Sequence, residues 1–263
     1  MIDIVEMNFN SWDKLTSFID SNFSYFNNFT FRGHADSSWK LESTITRALN
    51  KLKKGVSKQG LVDVHLSSFK HNLRGRTNQN INSIPENELY AIGQHFGLYT
   101  PLLDWTNSPY VALFFALQGN SSSGKRCIWA IADSLITDIN YIIKAPNNKI
   151  EIVKPLSNDN PRLVSQQGLF LRLPIDSSLE DLVNQAKSNR KGTQIYKITF
   201  DDSIKNDSLA SLNTMNINNL TLFPDLIGSS LHTNYVLEAD PYLEDKREEI
   251  WQAYEKGNNN KSK

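Results

Sequence analysis

Three short stretches of this chain place reactive side chains where a strand ends: Arg32 in NFTFRGH, Asp104 in TPLLDW, and Gln166-Gln167 in RLVSQQGLF. NFTFRGH alternates, with Phe29 and Phe31 on one side and Thr30 and Arg32 on the other, and breaks at Gly33. A guanidinium in that position can hold a phosphate bidentately. It can also form a buried ion pair, for which Asp104 and Asp225 are the available carboxylates. Asp104 and Trp105 close an extended stretch just before Ser108-Pro109, which marks a helix start whose unpaired N–H groups favour an anion. Asp104 therefore reads as a helix cap or a ligand-facing acid. His95 follows Gln94 at a helix C-terminus, where an imidazolium is stabilised.

Other chemistries lack their signatures. The chain has no GxxxxGK[ST], GxGxxG, HExxH or CxxC motif and no serine in a GxSxG turn. His34, His65, His71 and His232 are not spaced as metal ligands, and no metal site is expected. Cys127, the single cysteine, lies in an apolar strand and reads as inert core. With 28 Lys+Arg against 28 Asp+Glu, a broad surface that tracks nucleic-acid backbone is disfavoured. A small site for one anionic ligand remains open. The lone cysteine fits a reducing compartment. MIDIVEMNFNSW lacks the features of a signal peptide, and the longest apolar run, YVALFFAL, is too short to span a bilayer. A cytoplasmic protein without membrane contact is the expectation.

The elements that must position these groups can be read from pattern. SWDKLTSFID (11–20) is a helix capped by Ser11, with Trp12, Leu15, Phe18 and Ile19 inward. Residues 43–54 suit a helix ending at Gly55, and 58–75 a second with Leu61, Val64, Phe69 and Leu73 inward. PENELYAIGQHFG is a third, opened by Pro85. SPYVALFFALQG is an apolar helix capped by Ser108 and closed by Gly119, and RCIWAIA a buried central strand. RLVSQQGLFLRLP reads as two short strands or one strand bulged at Gly168. LEDLVNQAKS, QIYKITF and SIKNDSLASLNTMN follow as helix, strand and helix, and FPDL starts a last helix with Asp225 as cap. The simplest partition is a single α+β domain with a small mixed or antiparallel central sheet flanked by helices. Residues 1–20 form a helical lead-in, 21–240 the domain with a helical insertion at 43–95, and 241–263 a helix end and frayed tail.

FRGH (31–34), GQHFGLYTPLLDWTNSPYVALFFA (93–116), PRLVSQQGLF (161–170) and TLFPDLIGSS (221–230) resemble the four recurring blocks of the FRG domain. That family is named for its Phe-Arg-Gly motif and is found mainly in bacteria and their mobile elements. The chain departs from the common pattern at Phe96, where a second histidine is frequent, and at Ile227, where an Asp is frequent. Tyr99-Thr100-Pro101 stands in place of Pro-Thr-Arg, so that position has no arginine to offer a phosphate.

The block order is also similar in layout to the ADP-ribosyltransferases, which implies an ADP-ribosyltransferase-like fold with NAD as substrate. The resemblance gives Arg32, Asp104 and Gln167 catalytic roles. It places Arg32, Gly33, His34, His95, Trp105, Thr106 and Gln166 against NAD, with Trp105 stacking on nicotinamide. Cleaving the nicotinamide–ribose bond passes through a cationic state that an acid stabilises. The SQQGLF block offers no Glu, and a glutamine cannot take a proton, so Asp104 must be the acid. The implied function is a bacterial toxin or anti-phage effector that modifies a protein or nucleic acid and is restrained by an antitoxin or regulatory partner. The alternatives are a non-catalytic module sensing a nucleotide or phage component, and a nuclease or nucleic-acid modifier.

Overall fold

The computed structural model describes residues 3–26, 28–52, 57–144, 149–156, 160–186 and 194–259. It opens with strand β1 (Asp3–Phe9), where the sequence pattern gave a helical lead-in. The strand exists because it pairs in parallel with a segment near the other end of the chain, a partner that local pattern cannot reveal. Helix α1 (Trp12–Phe23) follows, its Ser11 hydroxyl accepting from the Lys14 amide, with Leu15, Ile19 and Phe23 buried. Strand β2 (Phe29–His34) carries the Phe-Arg-Gly motif.

Three helices come next: α2 (Thr44–Leu49), α3 (Lys58–Asn72) and α4 (Glu86–His95), the first two capped by Ser43 and Ser57. The expected stop at Gly55 lies outside the described residues. The inward face of α3 is the expected one only in part: Phe69 and Leu73 pack against the apolar cluster around Leu89 and Tyr90. Val62 and Leu66 are its buried residues, whereas Leu61 and Val64 are exposed. Strand β3 (Leu102–Thr106) leads into α5 (Pro109–Ala116), started by the Ser108 cap and Pro109. Strand β4 (Lys125–Ala132) is buried at every position after Lys125.

Helix α6 (Asp133–Ile143) and the short β5 (Glu151–Val153) precede α7 (Pro161–Ser165) and β6 (Gly168–Arg172). The first half of RLVSQQGLFLRLP is therefore a helical turn, not a strand, because Asn160 caps it and Pro161 pre-sets its first residue. The chain closes with α8 (Leu179–Gln185), β7 (Gln194–Asp201), α9 (Lys205–Thr214), α10 (Asn219–Leu222) and α11 (Leu226–Asn259). At 34 residues, α11 is about 50 Å long and continues through Pro241 into the segment expected to fray. Among the described residues no helix is long and apolar enough to cross a membrane.

The architecture is α+β. Among the described residues, seven strands form one open mixed sheet in the order β1-β7-β4-β2-β3-β6-β5. Only the β1–β7 pair is parallel. One apolar layer packs Trp129, Ile131 and Trp105 against Leu135, Ile139, Leu179 and Leu182 of α6 and α8. The opposite layer packs Phe31, Ile128 and Ile198 against α1, α5 and α9. A third cluster seats α3 and α4 on Leu102 and Phe170. β2 meets β4 through six registered pairs but meets β3 at one, Phe31 with Thr106. Beyond that pair the two strands part, and the gap between them becomes the site.

Candidate functional site

Each residue of the Phe-Arg-Gly motif has a separate task. Phe31 is 2% exposed and sets its ring edge-on to Phe23 at 5.2 Å in the α1–α5 layer. Gly33 lies under α5 so closely that a Cβ there would sit 2.0 Å from the Ala112 carbonyl oxygen and 2.6 Å from the Ala116 nitrogen. Arg32, between them, points to the other side of the strand. Its Nη1 donates to the Asp104 carbonyl oxygen at 2.6 Å and approaches the Asp104 carboxylate at 3.4 Å. Its Nε donates to His34 Nε2 at 3.1 Å. Burial lowers the Arg32 pKa, with the Asp104 charge acting in the opposite sense.

His34 is buried, and its pKa is pushed down to about 3, first by burial and then by the Arg32 charge. A pull from the Trp39 backbone opposes this but falls short of a hydrogen bond. The ring is neutral near pH 7. Because Nε2 accepts from Arg32, its proton is on Nδ1.

Asp104 does not cap α5; Ser108 does, accepting from the Val111 amide. The α5 N-terminus does not line the cleft either. The Asp104 carboxylate is instead held by Gln94, whose amide donates to it at 2.6 Å while its carbonyl accepts from the Thr100 hydroxyl. Gln94 thus orients the acid that faces Arg32.

Around these groups opens a cleft of about 910 Å³, at the upper end of the range for small-molecule sites. β2, β3, β6, α4, α5, α7, and α2 with the segment leading into it, supply its walls. Its charged lining is Arg32, Lys40, Arg47 and Arg162 against Glu42 and Asp104. A chain with no net charge thus concentrates an excess of two positive charges on one concave surface.

The cleft gathers most of the residues singled out from sequence and leaves one out. Arg32, Gly33, His34, His95, Asp104, Trp105, Thr106 and Gln166 border it; Gln167 does not. Gln167 is exposed, has φ 47°, and offers its carbonyl to the Asn107 amide, so no late-strand amide reaches the cleft from that position. Gln166 spends its amide on the Leu222 carbonyl at 3.0 Å, tying α7 to α10. Thr106 is 4% exposed and gives its hydroxyl to the Gln166 carbonyl at 2.7 Å. Trp105 is 3% exposed, and its ring belongs to the core, so it presents no open face for stacking.

His95 also borders the cleft, near Arg162 and Asp225, which pair at 2.6 Å. Burial and then the Arg162 charge lower its pKa. Asp225 also accepts from the amides of Ile227 and Gly228 and so starts α11. The sequence offered Asp225 as a partner for Arg32; it pairs with Arg162 instead.

Arg47, Arg162 and Gln94 are cleft residues that strand-end reasoning passed over. Arg162 and Gln94 lay inside recognisable blocks, but only the fold brings them to one surface. Asp36 is a further polar residue that no sequence motif marks. It is fully buried and accepts from the amides and hydroxyls of Ser38 and Ser122 and the amide of Ser123. Those bonds, from Ser122 and then Ser38, hold its pKa below the usual carboxylate range and fasten the β2 exit to the turn before β4. Among the described residues, no group of three or more His, Cys, Asp or Glu side chains is placed to hold a metal ion.

The family model for the FRG domain matches residues 27–125. The match takes in β2, β3 and α5 and ends as β4 begins; the PRLVSQQGLF and TLFPDLIGSS segments lie outside it. No curated protein and no solved structure matches the chain.

Proposed function

We propose that this chain, which carries an FRG domain over residues 27–125, binds a phosphate-bearing nucleotide in the β2–β3 cleft and transfers ADP-ribose from NAD to a protein or nucleic acid. The observation that carries this is the convergence of Arg32, Arg47 and Arg162 on one nucleotide-sized cavity beside a solvent-accessible carboxylate, Asp104. Guanidinium groups suit a diphosphate because their planar donors match its oxygens. In the transfer, the nicotinamide–ribose bond breaks and nicotinamide leaves with the bonding electrons. Asp104 stabilises the positive charge on the ribose. The acceptor nucleophile then bonds to that carbon and gives up its proton to Asp104. The setting that the family resemblance supports is a cytoplasmic bacterial effector or toxin of anti-phage defence, held in check by an antitoxin or regulatory partner.

The test is incubation with labelled NAD and cell lysate. Release of nicotinamide together with transfer of label is expected. Neither event under any condition, with NAD still bound, would instead favour a non-catalytic sensor of nucleotides. One observation favours that second function: Gln166 spends its amide on Leu222 and Gln167 lies outside the cleft, so neither glutamine supports Asp104.

A further inference from the structure

Seven buried side-chain nitrogen or oxygen atoms among the described residues have no hydrogen-bond partner. Four of them, Thr30 Oγ1, His34 Nδ1, Trp105 Nε1 and Trp129 Nε1, come from one face of three adjacent strands around Arg32. Thr30, Arg32 and His34 alternate along β2 and so share a face. Trp129 on β4 is registered directly opposite Arg32. Phe31 is registered with Thr106, so Trp105, one residue back on β3, turns to the same side as Arg32.

The chemistry of these atoms is one-sided. An indole N–H only donates. His34 Nδ1 carries the ring proton and also donates, because Nε2 accepts from Arg32. A buried donor left unpaired loses its bonds to water without replacement, and such atoms are rare in folded proteins. Here they are concentrated next to a cationic cleft. His34 and Trp105 both border the cleft, and Arg32 Nη2 has no partner among the described residues.

We propose that His34 Nδ1–H, Trp105 Nε1–H and Arg32 Nη2–H form a subsite on the cleft wall for the oxygens of a phosphoryl group. The subsite rests on the nucleotide-binding function proposed above. It gives Trp105 the role of donor in place of aromatic platform, consistent with its 3% exposure. A carboxamide would bring N–H groups that need acceptors, and of the four unpartnered atoms only the Thr30 hydroxyl can accept. A phosphoryl group brings oxygens alone, and its charge is met by Arg32.

The experiment is NMR of the full chain with ¹⁵N-labelled tryptophan and histidine, titrated with inorganic phosphate, ADP-ribose and NAD. The chain has five tryptophans, and Trp105→Phe identifies the Trp105 indole signal while keeping an apolar ring in the core. A downfield shift of the Trp105 indole proton with a matching change at His34 Nδ1 is expected. Trp105→Phe is expected to weaken ADP-ribose binding about tenfold, the loss of one hydrogen bond to a charged group. If Trp105→Phe does not fold, the His34 signal of the unaltered protein still decides. Binding that leaves both signals in place overturns the subsite and leaves the nucleotide cleft standing. Failure of all three ligands to bind overturns both.

Discussion

Arg32 Nη1 is closer to the backbone oxygen of Asp104, at 2.6 Å, than to its carboxylate, at 3.4 Å. The shorter contact is structural. β2 and β3 share a single registered pair, and where they part the guanidinium holds a carbonyl of β3. The side-chain ion pair is looser, since the Asp104 side chain is 69% exposed and pairs of that kind contribute about 0–1 kcal/mol. Arg32 therefore supports the cleft wall while keeping Nη2 for a ligand.

Because the two contacts are separable, Asp104→Asn should divide binding from chemistry. Its thermal stability should stay within about 1 kcal/mol of the parent. Affinity for ADP-ribose should rise, because Arg32 no longer shares its charge with a carboxylate. Nicotinamide release should fall by about 10²–10⁴, the usual contribution of a positioned acid or base. Calorimetry and a nicotinamide assay read the two effects independently. Undiminished release would remove Asp104 from the reaction.

Gly33→Ala should be among the most damaging single changes in the chain. The added methyl would meet the Ala112 carbonyl oxygen and the Ala116 nitrogen, backbone atoms that no rotamer change can clear. α5 would have to lift from β2 and open the layer that buries Phe31. Overpacking of this kind costs about 1–3 kcal/mol and more where backbone must move. A thermal melt of the purified variant measures it, and an unchanged midpoint would mean that α5 can shift freely.

Local signals in the sequence were enough to place α1, β2, α5 and β4. Ser11, the alternation through Phe31, Ser108-Pro109 and the apolar run after Lys125 act within a few residues. β1 escaped because its partner, β7, lies at the far end of the chain and only tertiary pairing makes DIVEMNF a strand. α7 had its own markers, Asn160 and Pro161, but the β-like RLV pattern outweighed them. For the site, Arg32 and Asp104 were legible as strand-end charges. The difference between Gln166 and Gln167 was not, because it depends on the left-handed backbone of Gln167 and on α10 supplying the Leu222 carbonyl.

His34 gives the fold a defined weakness to acid. Its folded pKa is about 3, below its ordinary value of 6.5, so between those limits the unfolded chain binds the proton and the folded one does not. Stability is then complete above about pH 6.5 and is lost as pH falls toward 3, by several kcal/mol at most. Asp36 acts in the same direction but lower. Its pKa is also depressed, so the stability it contributes persists above its unfolded value of 3.8 and is lost only below that. Urea unfolding of the parent and of His34→Gln at pH 7.5, 5.5 and 4.5 should show a steep acid loss in the parent and a flatter one in the variant. Parallel curves would mean that His34 is protonated in the folded state as readily as in the unfolded one.

The last prediction concerns the far end of α5, where Gln118 and Gly119 border the cleft. Arg126 is 1% exposed and donates to the carbonyls of Ala116, Gln118 and Gly119, with Asp202 accepting from its Nε. One side chain thus satisfies three carbonyls that the helix end leaves open, and it places its charge where the helix dipole favours a cation. Arg126→Met keeps the bulk but leaves Asp202 and the carbonyls of Ala116 and Gln118 without their guanidinium partner, while the Gly119 carbonyl still accepts from Lys205 Nζ at 3.0 Å. Removing one partner of a buried charged network costs about 3–5 kcal/mol, and the Asp202 side chain, 42% exposed, can rehydrate, which argues for the lower end. Arg126→Lys retains the charge but cannot reproduce the fork, so it should fall between parent and Met variant. Urea midpoints in the order parent, Lys, Met are expected. Equal midpoints for Lys and Met would show that charge alone contributes nothing there and that the geometry of the guanidinium holds the end of α5.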